Sequence, residues 1–134
     1  MNAESLMEEA RKIAGNAYVP YSKFRVGAAL ELSDGTVITG VNVENRSFGL
    51  TNCAERSAIY TALSQGRKDI VAIAVAGPDA TEPLSPCGAC RQVIAEFCPP
   101  DTPVYFDDAA GGWIDSSVKE LLPMDALQGF RNRN

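Results

Sequence analysis

No histidine occurs anywhere in the 134 residues. That excludes Ser-His-Asp and Cys-His catalysis, every imidazole ligand to zinc and the commonest general base, so acid–base chemistry must run on a carboxylate, a lysine, a tyrosine or a bound metal. Basic runs are missing too. Twelve Lys and Arg stand against 17 Asp and Glu, a net charge of −5, which excludes an electrostatic grip on nucleic acid. The longest apolar run, around Ile70 to Ala76, is far shorter than the roughly 18 residues of a membrane-spanning helix. Met1 to Lys12 alternates acids and bases and has no apolar core of a secretory signal. The four cysteines are therefore expected as reduced thiols in a cytoplasmic setting, kept for metal or chemistry and not for disulfides.

What is present suits one soluble domain with an ordinary core: 46% hydrophobic, 22% charged and 7% aromatic residues. Leu6, Ala10, Ile13, Ala14 and Ala17 make a helical stripe over Ala3 to Tyr18, stopped by Pro20. Phe24 to Leu32 reads as a strand with Val26, Ala28, Leu30 and Leu32 on one face. The turn Ser33-Asp34-Gly35 leads to a second strand, Thr36 to Val43. Asn42 and Glu44 fall on one face at its end. Cys53 to Leu63 reads as a helix closed by Gly66, and Ile70 to Ala76 as a strand covered on both faces. Cys90 to Phe97 is a third helix, Pro103 to Phe106 a short strand, Ala109 to Gly112 a turn, and Ser116 or Ser117 caps a last helix through Leu122. Helix, hairpin, helix, strand, helix, strand, helix implies a mixed sheet with helices on its faces.

The stretch Ser85-Pro86-Cys87-Gly88-Ala89-Cys90-Arg91-Gln92 sets two thiols at the start of a helix. By itself it is equally half of a metal site or a redox dithiol. Cys53-Ala54-Glu55, 34 residues earlier, adds a third thiol. Cys98 follows Cys90 by eight residues, roughly 12 Å along an ideal helix, too far to share the same ion. Three ligands and one open position are the pattern of catalytic zinc, although a closed structural zinc site and a thioredoxin-like dithiol remain open alternatives. Three thiolates around a divalent ion leave a net −1. Helix N-termini at Cys53 and Cys87 offset it, with Arg56 and Arg91 as candidate donors to the sulfurs. Glu55 lies about 200° around a helix from Cys53, which suits a proton carrier beside the metal and not a fourth ligand.

Cys53-Ala54-Glu55 followed by Pro86-Cys87 and Cys90 resembles the signature of zinc-dependent nucleoside deaminases. Its three-cysteine form is similar to the small homotetrameric cytidine deaminases. The likeness extends to Pro20-Tyr21-Ser22-Lys23-Phe24, Val26 to Ala29, Asn42-Val43-Glu44-Asn45, Asn52 to Arg56, Ser85 to Gln92 and Glu120 to Pro123. This resemblance implies a three-layer α/β/α sandwich with a mixed sheet of about five strands, formed as a single domain over residues 1–134. It implies one zinc ion per chain on Cys53, Cys87 and Cys90, and hydrolysis of cytidine or deoxycytidine at C4 to uridine or deoxyuridine and ammonia. Glu55 would shuttle the proton to N3 and then to the departing amine. Phe24 would flank the nucleoside, Asn42 and Glu44 would bind the ribose hydroxyls, and Ala54 would contact the base through its backbone, with Arg56 behind the ligands. Partners are then a nucleoside and other copies of the chain in a homotetramer, with neither nucleic acid nor membrane, in a cytoplasmic role in pyrimidine salvage. One position departs from the family: three residues after Pro123 an aromatic is usual, and Ala126 stands there, leaving Trp113, Leu127 or Phe130 to replace it or the pocket to take another aminated pyrimidine such as blasticidin S.

Overall fold

The aliphatic run Ile70–Ala76 becomes the middle strand of a five-stranded sheet because helices cover it on both sides. The computed structural model describes residues 1–126. In chain order the elements are α1 (Ala3–Ile13), β1 (Gly27–Leu32), β2 (Val37–Val41), α2 (Ala54–Ser64), β3 (Ile70–Ala76), α3 (Gly88–Phe97), β4 (Pro103–Asp107), β5 (Trp113–Ser117) and α4 (Val118–Leu121). The sheet runs β2-β1-β3-β4-β5. β1 pairs antiparallel with β2 and β3, β3 pairs parallel with β4 across the α3 crossover, and β5 returns antiparallel on β4.

Alternation along the strands divides the core in two. Ala28, Leu30, Leu32, Ile73, Val75 and Val104 pack under α2 and α3 with Ala58, Ile59, Ala62 and Ile94. Ala29, Ala72, Ala74 and Ala76 face the other way, where Leu6, Met7 and Ala10 of α1 close over them. The result is the expected three-layer α/β/α arrangement with a mixed five-stranded sheet. Val71 alone of the β3 run is exposed, at 43%, near the strand's start.

Several boundaries differ from those read off the sequence. Helix α1 stops at Ile13 and tightens into a 3₁₀ turn over Ala14–Asn16, where Gly15 and Asn16 weaken the α form. The first strand begins at Gly27, not Phe24, and the second ends at Val41, not Val43. Beyond Val41 the chain is held by single bridges: Val43 pairs with Asn52, and Glu44 N donates to Tyr18 O at 2.9 Å. Strand β5 was not foreseen. Its Trp113-Ile114-Asp115-Ser116-Ser117 has almost no apolar alternation, and an edge strand one of whose sides is free does not need it.

Candidate active site

Two helix N-termini meet beside the ends of β2 and β3, and each begins at a cysteine. Cys53 is the N-cap of α2, with extended backbone at φ −77° and ψ 156°. Cys87 is the N-cap of α3, at φ −68° and ψ 167°. Cys90 lies in the first turn of α3, buried, and its backbone N donates to Cys87 Sγ at 3.5 Å. The sulfurs of Cys53 and Cys87 are 3.8 Å apart, and those of Cys53, Cys87 and Cys90 all lie within 4.8 Å of one another. Thiolates held tetrahedrally at about 2.3 Å from zinc are separated by about 3.8 Å, so the donor set fits that ion in chemistry and spacing. Charge points the same way. Sharing with Cys90, helped by Arg56, brings the Cys53 thiol down to about 5, and the Cys53 thiolate together with burial pushes Cys90 well above the usual thiol range. Three sulfurs this close ionise together only around a cation. Cys98 caps the far end of α3 and is buried in the main core, away from the cluster.

Around the sulfurs the two arginines part company. Arg56 Nη2 donates to Cys53 Sγ at 3.3 Å, while its Nε is buried with no partner among the described residues. Arg91, the other candidate donor, points elsewhere: to Pro86 O at 2.7 Å, Leu121 O at 3.0 Å and Ser85 Oγ at 3.2 Å. Its acceptors are two carbonyls, one just before Cys87 and one at the end of α4, and the Ser85 hydroxyl.

Glu55 is only 4% exposed, and burial raises its carboxyl to about 7. Among the described residues no ion pair joins it to Arg56. Glu55, Ala54, Cys53 and Cys87 line one cavity of about 160 Å³ together with Val26, Asn42, Thr51, Asn52, Val75, Leu84 and Ser85. Asn42 is fixed at its wall: Oδ1 accepts from Val26 N at 2.9 Å and Nδ2 donates to Phe24 O at 2.8 Å. Glu44 lies in a neighbouring cavity with Tyr21, Ser22, Phe48 and Thr51, where it accepts from Tyr21 N at 3.0 Å and Ser22 N at 3.1 Å. Ser22, first among its partners, holds its carboxyl below the usual range. Thr51 lines both spaces, so Asn42 and Glu44 lie in two adjoining cavities, beyond the end of β2.

Phe24 is not among the side chains lining either cavity. It packs partly buried against the main core and contributes its carbonyl to Asn42. Ala126 is exposed at the end of the described chain, and Leu127 and Phe130 lie outside the described residues. Trp113 is on β5 and packs against the α1 side of the sheet, in the layer opposite the cysteines. Sequence reasoning passed over Thr51, Asn52, Leu84 and Ser85 as lining residues. The signal available was position: each pair leads directly into a ligand cysteine or the proline before it.

Residues 1–106 match the cytidine and deoxycytidylate deaminase zinc-binding region. A cytidine deaminase of Halalkalibacterium halodurans is 55% identical over 123 residues, covering 92% of each chain. The crystal structure of cytidine deaminase from Burkholderia pseudomallei superposes with a TM-score of 0.88 at 45% identity, covering 93% of this chain and 99% of that one. A blasticidin-S deaminase of Bacillus cereus is a more distant relative, 34% identical over 110 residues and 77% of each chain. With three clustered thiols and a buried carboxyl opening on one cavity, and with these likenesses running over most of its length, the chain belongs to the zinc-binding cytidine and deoxycytidylate deaminase family.

Proposed function

We propose that this protein is a cytidine deaminase: it adds water across C4 of cytidine or deoxycytidine and releases uridine or deoxyuridine and ammonia. The observation that carries the reading is the shared cavity, in which Cys53, Cys87 and the buried carboxyl of Glu55 open onto the same 160 Å³. Cys53, Cys87 and Cys90 would hold zinc, a Lewis acid that makes water nucleophilic at neutral pH. Arg56, donating to Cys53, offsets the negative charge of three thiolates. Glu55 takes one proton of the attacking water and delivers it to ring N3, then takes the proton of the new C4 hydroxyl and delivers it to the departing amine. Its burial excludes bulk water from that transfer. The backbone at Ala54 meets the base, Asn42 and Glu44 receive the sugar hydroxyls, and Phe24 acts through Asn42. Neither cavity is lined by Lys or Arg, so a free nucleoside suits the site better than a nucleotide, whose phosphate would find no cation there.

The working unit is the whole chain as one domain, acting in pyrimidine salvage in the cytoplasm; among the described residues no helix is long and apolar enough to cross a membrane. Tyr18, Tyr21, Val43, Phe48 and Leu50 are exposed, Tyr21 and Phe48 as walls of the Glu44 cavity, which supports burial of that face in a homotetramer. One observation favours a second substrate reading: Ala126 offers no ring to stack on the base, so a bulkier aminated pyrimidine such as blasticidin S is the competitor. Loss of the cytosine absorbance, followed for cytidine, deoxycytidine, cytosine and blasticidin S with zinc-loaded protein, separates the readings. Turnover of cytidine and deoxycytidine above the others is expected, and turnover of none overturns the deaminase assignment. Glu55→Ala should keep its zinc and lose turnover; loss of zinc as well would make Glu55 a ligand.

A further inference from the structure

We propose that Arg91 is a positioning residue that locks the Cys87 loop to the end of α4, so that the setting of the metal ligands depends on one side chain. The inference rests on Cys53, Cys87 and Cys90 being the zinc ligands. Arg91 follows Cys90 directly, and its side chain grips the two residues before Cys87. Its Nε donates to Pro86 O at 2.7 Å and its Nη2 to Ser85 Oγ at 3.2 Å. Ser85 and Cys87 line the cavity, and Pro86 between them is fully buried, so its carbonyl needs an internal donor.

The remaining arm of the guanidinium reaches across the fold. Nη1 donates to Leu121 O at 3.0 Å, the last residue of α4, one of the helix carbonyls left without an intrahelical partner. Gln92, the next residue, ties the same stretch a second time, Nε2 to Asp125 Oδ1 at 3.1 Å. Every side-chain acceptor that Arg91 uses is a neutral oxygen, and among the described residues it forms no ion pair. What matters is therefore the planar fork, which places three donors in fixed directions, and not the positive charge. Lysine carries the charge without the fork.

Arg91→Lys, Arg91→Gln and Arg91→Ala test this against wild type in three measurements. Zinc affinity, read by competition with a chromophoric chelator, should fall about tenfold or more in all three variants, the Lys form included. The thiolate-to-cobalt absorption of the cobalt-substituted protein should broaden or shift in the same variants. Hydrogen exchange should quicken in peptides covering residues 84–90 and 118–123 together, with or without metal. Wild-type zinc affinity in Arg91→Lys would overturn the proposal, since a point charge would then suffice. So would a variant that melts lower yet keeps the wild-type zinc affinity and cobalt spectrum, or faster exchange at 84–90 with 118–123 unchanged. If Arg91→Ala does not fold, the same outcomes are read from the Lys and Gln forms. A wild-type protein that binds zinc but deaminates nothing would overturn the proposed function and leave the clamp to be judged on these three readouts.

Discussion

Gly40 on β2 packs closely against α2, the helix that starts at Cys53 and carries Glu55, and Gly40→Ala is the sharpest test of how the site is held. A Cβ built there lies 2.4 Å from Ala58 N, 2.7 Å from Ala54 O and 2.9 Å from Ala58 Cα, all backbone atoms of α2 that no rotamer change can move. Restoring ordinary contact requires strand and helix to part by about 1 Å, a form of overpacking that costs roughly 2 kcal/mol. For a chain of this size the melting temperature should fall by about 6–8 °C. Ala54 sits between Cys53 and Glu55, whereas Cys87 and Cys90 belong to α3, so the displacement falls between two halves of one constellation. A misplacement of about 1 Å is enough to lower kcat/KM on the order of a hundredfold. Gly27→Ala is the control. Its Cβ would lie 2.1 Å from Ala10 O and 2.7 Å from Ala14 N, a worse clash, but against α1 in the opposite layer. Melting curves, zinc competition and initial rates at a temperature where both variants are folded complete the assay. Both should lose stability, and only Gly40→Ala should lose zinc affinity. Equal losses of zinc affinity in the two, or wild-type zinc affinity in a destabilised Gly40→Ala, would refute the reasoning.

Cys98→Ala should leave zinc content unchanged and lower stability by about 1 kcal/mol, because the thiol fills core space at the far end of α3; loss of zinc in metal analysis would place Cys98 at the site after all. Removing the metal by chelation should lower the melting temperature, and adding zinc back to about 100 times its Kd should restore about 2.7 kcal/mol; a melting temperature indifferent to free zinc would contradict a folded three-thiol site. Arg67 bridges Asp34 at 3.0 Å and Asp69 at 2.7 Å, and hydrogen bonding to Arg67 holds the Asp34 carboxyl down to about 2. A depressed folded pKa means that this contribution is present above the unfolded value of about 4 and is lost as the pH falls toward about 2. The difference in urea midpoint between wild type and Asp34→Asn should therefore be small at pH 7, as for any exposed pair, and vanish across that acid window; a difference that grows with acid would reverse the sign.

The layers of the fold were legible because its apolar patterns are strong. The alternation Ala28, Leu30, Leu32 and the unbroken run Ile70–Ala76 separate buried faces without tertiary information. β5 was not legible for the opposite reason: Trp113–Ser117 is held by its ladder to β4, including Tyr105 against Asp115 and Phe106 against Ile114, and a ladder leaves little trace in composition. The reach of Arg91 was not legible on the same ground. Spacing along a helix says which residues are near a sulfur, but where a guanidinium goes depends on carbonyls such as Leu121 O, thirty residues away and invisible in a local pattern.

Glu55 shows what a local rule leaves out. A helical wheel sets it about 200° from Cys53, which would turn the two side chains away from each other. Cys53 is outside the wheel: as the N-cap it has an extended ψ of 156°, and the helical angles begin only at Ala54. The cap residue therefore projects back past the helix end while Glu55, in the first turn, leans toward that same end, as side chains on a helix do. Both line one cavity from positions two apart. The same geometry recurs at Cys87, the N-cap of α3, with Cys90 in the turn behind it. A chain without histidine thus gathers three sulfurs and a carboxyl from two helix starts. Extending either helix backward by one turn, so that Cys53 or Cys87 took helical angles, would swing its sulfur onto the helix side and break the cluster with no ligand replaced.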